Sequence, residues 1–344
     1  MYVDGGTMAL QKIKCATRAD VAREANVSET IVSYVMNNNR YVAAEKRKRV
    51  LEAAEKLNYS PNNMALALSG KDSKQLLFIV DTPESERLGS MLGSLDKYAY
   101  EKGSVVTLCA CRNDESFVSR ILSRRFDGIV ISSKKIPEKF VRRFVQAGIP
   151  TVLLLTRNYR IKTGVGKIGT GLRSGAEGCV KYFYEMGRRN IIYLDRVSQE
   201  NIFSDLSDSR LQGFAAQMEA FGFDWKDNVI TGCRTDEEVE QKIAEYLKTK
   251  KVDAILGRND RMACIGMRAV KKLGYSIPKD IVVMGFDDTS VCNYVTPSLS
   301  SVHLDNEAIA KKAIEMIYLM REGQQIKETV HFKYKIVERE STGK

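Results

Sequence analysis

Residues 17–37 read TRADVAREANVSETIVSYVMN, and their spacing decides the fold of the amino-terminal region. Thr17 with Asp20 three positions on has the form of a capping box, a hydroxyl meeting one backbone N–H and a carboxylate reaching back to another. Val21, Ala22 and Ala25 then recur at helical spacing. Asn26, a residue that tolerates the left-handed backbone, ends that helix. Ser28 is the next N-cap, and Glu29 stands against the positive end of the new helix dipole. Val32, Val35 and Met36 form the apolar stripe of this second helix, which ends near Asn37, Asn38 and Asn39. A third helix is expected over 44–57, with Val50, Leu51, Ala54 and Leu57 inward and Lys46, Arg47, Lys48 and Arg49 outward. Two short helices, a tight turn and a third helix make the helix-turn-helix arrangement. Helices of about two turns are marginal alone. A small shared core of Ala22, Val27 and Val32 must hold them, which frees the polar edge of the second helix to enter a major groove. On pattern alone, a small helical bundle without a nucleic-acid role fits as well.

The wider composition sets bounds. The chain has 344 residues, with 54 Lys and Arg against 43 Asp and Glu, for a formal charge of +11. Such a length points to two or three domains, and the cationic excess is compatible with a polyanionic partner without identifying one. Residues 1–14 have no periodicity and read as a loose tail, with Met8 as an alternative start. No apolar run approaches the roughly 20 residues that span a bilayer, and no signal-peptide core is present, so a cytoplasmic protein is expected. Two histidines, His303 and His331, are too few for a histidine-built metal centre or a serine hydrolase triad. Seven scattered cysteines, with Cys109 and Cys111 as the one close pair, read as buried reduced thiols, since no second pair stands at zinc-site spacing. No metal and no cofactor are expected.

From Gln75 onward short apolar runs alternate with amphipathic helices. Strands are expected at 76–80, 105–111, 128–132 and 151–155, with helices at 88–101, 117–124 and 140–147 between them. A second set starts near Ala176, with strands at 191–194, 254–256 and 281–285 and helices at 210–221, 239–248 and 262–273. This alternation implies parallel sheets covered on both faces, and two sets imply two lobes with a ligand cleft between them.

The stretch from Asp20 to Asn37, Leu57-Asn-Tyr-Ser-Pro-Asn62, and Asn-Arg-Tyr-Val at 39–42 resemble the DNA-binding headpiece of the lac repressor family, nearest its purine repressor branch. The likeness continues through FDGIV at 126–130, AGIPT at 147–151, MGRRNI at 186–191, RNDRMA at 258–263 and PKDIVVMGFDDT at 278–289. It implies an all-α helix-turn-helix headpiece followed by an α/β, two-lobed, periplasmic-binding-protein-like effector domain whose chain crosses between lobes three times. The expected division is headpiece 1–59, hinge helix and linker 60–74, first lobe 75–169 with 304–328, and second lobe 170–303 with 329–344. The implied activity is that of a homodimeric, sequence-specific regulator of transcription, a repressor, with double-stranded operator DNA and a small-molecule effector as partners and no chemistry of its own. Effector binding changes lobe closure and so the geometry of the two headpieces.

Carried over by position, Glu29, Thr30 and Tyr34 face base edges, while Thr17, Ser28, Ser33 and Asn37 bond phosphates, which fix register without reading sequence. Glu29 has two open readings, acceptor from a cytosine amino group or solvated acid. Tyr34 stands where many members carry arginine, and a phenol cannot make the bidentate guanine contact, so an altered operator preference is expected. Ile31 replaces a common threonine, and Ala43 replaces the serine that caps the third helix, a loss of about 1 kcal/mol. Ser60-Pro61 opens a short helix signal closed by Gly70, where the resemblance implies a hinge helix that orders on DNA. Asn62, Ala65 and Leu68 match its motif, with Leu68 as a minor-groove wedge; packing of Leu68 on the next domain is the other reading.

In the cleft, Arg210, Asn259 and Asp287 match the residues that hold the effector's polar edge; capping and ion pairing are the plainer reading. Arg234 falls where an aromatic commonly stacks on the ligand, and Arg258 adds a cation beside Asn259. Gly171-Leu172 replaces the Asp-Asn of many sugar-binding members, and Ser85-Glu-Arg-Leu88 replaces a more apolar stretch. These departures favour an anionic effector such as a phosphorylated metabolite or nucleotide, or a cleft that has lost ligand response. A binding protein without DNA activity is the alternative, separable by salt-dependent binding to duplex DNA. The Gly164-Val-Gly-Lys-Ile-Gly169 run matches a dinucleotide fingerprint, but a polar stretch at 157–163 separates it from its strand, so a dehydrogenase is disfavoured. Asp287-Asp288 is a poor glycosidase pair, because neighbours at a strand end point apart.

Overall fold

The computed structural model describes residues 16–38, 40–60, 72–81, 83, 85–326 and 328–343. Two compact units divide the chain, Met1–Asp72 and Ser73–Lys344.

The first unit carries α1 (Arg18–Glu24), α2 (Glu29–Asn37) and α3 (Ala44–Lys56). Thr17 and Asp20 form the full capping box of α1. Asn26 takes φ 49°, which turns the chain from α1 into α2. Ser28 Oγ accepts from Ile31 N at 3.4 Å, while Ala43 gives α3 no side-chain cap. Val21, Ala22, Ala25, Val32, Val35, Val50, Ala53 and Ala54 are buried together, with Val27, Leu57 and Tyr59 packed against them. Leu51, expected inside, is 47% exposed: Val50, Ala53, Ala54 and Leu57 stand at i, i+3, i+4 and i+7 on one face of α3, and Leu51 lies roughly 100° round from Val50. The expected hinge helix, with Asn62, Ala65 and Leu68, lies outside the described residues.

The second unit is built on two six-stranded sheets. In the first, β1 (Gln75–Val80), β2 (Val105–Ala110), β3 (Gly128–Ser132), β4 (Thr151–Leu154), β5 (Gly166–Gly169) and β11 (Thr329–His331) run in the order β11-β5-β4-β3-β1-β2, all parallel. Alternation along β1 separates its two covers. Leu76, Phe78 and Val80 pack under α4 (Glu86–Glu101) and α11 (Asn306–Arg321), whereas Leu77 and Ile79 meet α5 (Glu115–Leu122) and α6 (Glu138–Gln146).

The second sheet has β6 (Ile191–Leu194), β7 (Val229–Ile230), β8 (Ala254–Gly257), β9 (Val282–Phe286), β10 (Ser300–Leu304) and β12 (Tyr334–Val337), in the order β12-β10-β9-β8-β6-β7. Only its edge pair, β10 with β12, is antiparallel. One face packs on α7 (Leu172–Glu185) and α8 (Ser209–Ala220), the other on α9 (Asp236–Thr249) and α10 (Asp260–Lys272).

The chain passes between sheets after β5, after β10 and after β11. Gly171, at φ 85°, sits where the crossings meet; a Cβ there would lie 3.2 Å from both Leu304 Cδ2 and the Phe332 carbonyl. One expectation needs correction. Residues 329–331 belong to the first sheet, not the second lobe, because β11 completes the edge beside β5 and only then does the chain cross. The glycine-rich run at 164–169 is itself largely a strand, β5, whose glycines leave room for Met316 and the His331 ring.

Candidate functional site

The outer edge of α2 is free in the first unit. Ser28, Glu29 and Thr30 are exposed and Tyr34 is half-buried. The Arg40 guanidinium lies 5.1 Å from the centre of the Tyr34 ring, so a cation stands beside the position that lacks one in the sequence. The polar groups expected on phosphates are partly committed within the chain. Thr17 Oγ1 donates to Asp20 at 2.6 Å, and the Asn37 amide donates to Ser33 O at 2.8 Å and to Ser33 Oγ at 3.2 Å. Ser28 accepts in its cap and keeps its hydroxyl hydrogen to donate. Lys46 and Lys48 on α3 are exposed.

In the second unit a cleft of about 690 Å³ lies between the lobes. Its polar walls follow from topology, because parallel sheets deliver side chains at their carboxyl ends. Asp81 follows β1, Lys134 follows β3, Thr156 follows β4, Arg196 follows β6, Arg258 and Asn259 follow β8, and Asp287 follows β9. Arg87 and Arg210 enter from the first turns of α4 and α8.

Two carboxylates organise these cations. Asp287 Oδ1 accepts from Arg210 Nη2 at 2.5 Å and lies 3.4 Å from Arg87 Nε. Asp208, the N-cap of α8, uses Oδ1 on the backbone N–H of Arg210 and turns Oδ2 to Lys134 Nζ, Arg196 Nη2 at 3.2 Å and Arg258 Nη2 at 2.9 Å. Asp195 stands 3.8 Å from Arg258 Nε. Burial alone would raise the Asp208 carboxyl; Arg258 and Lys134 overturn that and hold it well below the usual carboxylate range. Burial pushes Arg87 down to about 10, Asp287 opposing and Arg210 and Arg258 adding to the effect. Burial also pushes the Asp260 carboxyl up to about 6, although Ser301 and Thr289 donate to it.

Of the residues proposed for the ligand, the cleft brings together Arg210, Arg258, Asn259 and Asp287. Asn259 also caps α10, accepting from Met262 N at 3.0 Å. Arg234 is the exception: it is exposed, donates to Asn201 Oδ1 at 2.9 Å, and does not line the cleft, because it follows the edge strand β7 rather than a central one. Asp287 and its neighbour part company, both at positive φ, so that Asp288 meets Arg339 and His303 instead. The sequence reading missed Arg87, Lys134, Arg196 and Asp208; a usable signal was the place of Lys134 and Arg196 just after strand ends, of Arg87 in a helix's first turn and of Asp208 at a helix N-cap. The side chains of Ser132 (Oγ), Thr156 (Oγ1), Arg196 (Nε) and Arg210 (Nε) each bury an atom with no hydrogen-bond partner, and all four residues line the cleft.

Residues 17–62 match the profile of bacterial regulatory proteins of the lacI family, and residues 180–342 match that of a periplasmic binding protein-like domain. The HTH-type transcriptional repressor PurR of Photobacterium profundum is 27% identical over 309 residues, 88% of this chain and 91% of that protein. PurR of Proteus mirabilis is 27% identical over 338 residues, 95% of this chain and 96% of that protein. Among solved structures, the lac repressor dimer bound to operator and the anti-inducer ONPF superposes with a TM-score of 0.79 at 22% identity, covering 96% of this chain and 99% of that one. A lacI-family regulatory protein from Chloroflexus aggregans gives a TM-score of 0.67 at 24% identity, over 78% of this chain and 99% of that one. With a helix-turn-helix unit, two sheets joined by three crossings and a charged cleft between them, the chain pairs the DNA-binding domain of lacI-family bacterial regulatory proteins with a periplasmic binding protein-like domain.

Proposed function

We propose that this protein is a sequence-specific DNA-binding transcriptional repressor that acts as a cytoplasmic homodimer. A small molecule held between the lobes adjusts its affinity for operator DNA, and it performs no chemistry. The observation that carries the reading is the free edge of α2, with Ser28, Glu29 and Thr30 exposed on a helix that a packed three-helix core holds rigid. Arg40 over Tyr34 supports base reading at that position, since a guanidinium is the group that pairs with guanine in the major groove. The described relatives are repressors, and the lac repressor was captured as a dimer on its operator. Among the described residues no helix is long and apolar enough to cross a membrane.

Selection of bound fragments from genomic DNA, followed by titration at several salt concentrations, tests this. The logarithm of the affinity should fall linearly with the logarithm of salt, and one sequence should be preferred by about a thousandfold or more over random duplex. Equal affinity for all duplexes, or none, would sink the proposal. For the effector, the proposal retains an anion: Arg87, Arg196 and Arg258 are offered to the cleft, and an anion replaces the carboxylates that now hold them. Calorimetric titration with phosphorylated metabolites and neutral sugars separates the classes, and tight binding of neutral sugars with none of anions refutes the anionic assignment.

A further inference from the structure

Four links made by first-lobe side chains cross the cleft, beside two bonds from Ser209 of the second lobe, whose backbone N donates to Thr156 O at 3.2 Å and whose hydroxyl donates to Leu155 O at 3.4 Å. Arg87 reaches Asp287, Lys134 reaches Asp208, Lys135 Nζ meets Glu200 Oε2 at 2.8 Å, and Glu86 Oε1 accepts from Ser290 N at 2.8 Å. The first-lobe partners come from two places, the first turn of α4 and the residues after β3. Asp81 fixes the second of these by accepting from Ser133 Oγ and from Lys134 N at 2.7 Å. The inner two links are shielded: the side chains of Arg87 and Asp287 are 9% and 7% exposed, those of Lys134 and Asp208 15% and 2%. Arg87 also occupies the carboxylate that Arg210 holds, the same group the resemblance gives to the effector's polar edge.

We infer that Arg87 and Lys134 form a built-in latch that closes the lobes without an effector, so that an effector acts by breaking the closure and releases the protein from DNA. The inference rests on the cleft being the seat of regulation, as proposed above. Closure normally needs bridging groups that touch both walls, and here the chain supplies them. A ligand that reaches Asp287 must displace Arg87, and an anion does so by giving Arg87 and Lys134 a new partner. Entry and latch therefore compete for the same atoms, which couples binding to opening.

The latch can be removed without stranding a buried charge. Without Arg87, Asp287 keeps Arg210; without Lys134, Asp208 keeps Arg196 and Arg258. The full-length chain and its Arg87→Ala/Lys134→Ala variant are compared by hydrogen–deuterium exchange of segments 132–136 and 204–210, and by titration with the selected DNA. Lys97→Ala, which removes a surface pair with Glu307 outside the cleft, is the control. The latch predicts that the double variant exchanges about tenfold faster or more in both segments, binds DNA about tenfold more weakly, and that the control does neither. Equal exchange in wild type and double variant overturns it, as does an opened variant that binds DNA with unchanged affinity. A wild type that binds no DNA removes the repressor reading, while the exchange comparison still decides whether the latch exists. An unchanged thermal transition shows that the variant folds, and Arg87→Lys, expected to fall between the two, supplies a milder test if it does not.

Discussion

Exchanging Asp208 for asparagine removes one negative charge from a point where three cations converge. Arg258 lies 2.9 Å and Arg196 3.2 Å from Oδ2, with Lys134 on the same atom, and the carboxylate is 2% exposed. A single pair at such range is worth about 4 kcal/mol at an effective dielectric near 20, so the gross loss is on the order of 10 kcal/mol. Relief comes from two sides. Asp195 remains 3.8 Å from Arg258, and Lys134 and Arg196, 15% and 22% exposed, can regain water. The net cost should fall to about 3–5 kcal/mol, the range for breaking a buried pair from one side. Asp208→Ala should cost about 1 kcal/mol more, because Oδ1 also caps α8 through the backbone N–H of Arg210 and Leu211. The assay is urea unfolding followed by the fluorescence of Trp225, the sole tryptophan, which packs on the second-lobe core. Adding Lys134→Met to Asp208→Asn should return part of the loss. A measured cost below about 1 kcal/mol, or no recovery in the double variant, would refute the picture of one carboxylate neutralising a convergent cluster.

Further outcomes follow from other sites. Burial raises the Asp260 carboxyl from 3.8 to about 6, so its favourable contribution is complete below the unfolded value and lost as pH rises through about 6. Asp260→Asn should flatten that loss, roughly 3 kcal/mol, in urea midpoints measured across this window. Ala43→Ser should give α3 the cap it lacks and raise headpiece stability by about 0.5–2 kcal/mol, read from thermal unfolding by circular dichroism. Gly171→Ala should cost about 1–3 kcal/mol in second-unit stability, since φ 85° and two atoms at 3.2 Å from the added Cβ oppose it.

Much of this architecture was legible in residue order, for reasons that differ by region. The headpiece declared itself because caps and periodicity agree: Thr17, Asn26 and Ser28 mark ends that Val21, Val32 and Val35 confirm from within. Leu51 was misjudged since helical period gives a face only to within one position, and Val50 with Ala53 and Ala54 already fills it. Strand β5 was passed over because glycine carries no apolar signal, yet glycine is what Met316 and His331 leave room for. In the cleft, Arg210, Asn259 and Asp287 were found through resemblance and Arg258 through its place beside Asn259, whereas Arg87, Lys134 and Asp208 belong to ion pairs between residues up to 200 positions apart, as in Arg87 with Asp287. Local pattern cannot pair such partners. Arg234 was misplaced for the same reason, its position depending on which strand lies at the sheet edge.

The path of β11 and β12 has a consequence for synthesis on the ribosome. Each closes the edge of a different sheet, and they follow one another directly at 329–331 and 334–337. The first lobe also waits for α11, which is translated after every strand of the second lobe except β12. Neither half of the effector domain can complete its sheet as a nascent chain, and a fragment cut at 169 would leave β5 as an open edge with α4 uncovered. The emerging polypeptide therefore carries an unfinished lobe until β11 and β12 have left the exit tunnel.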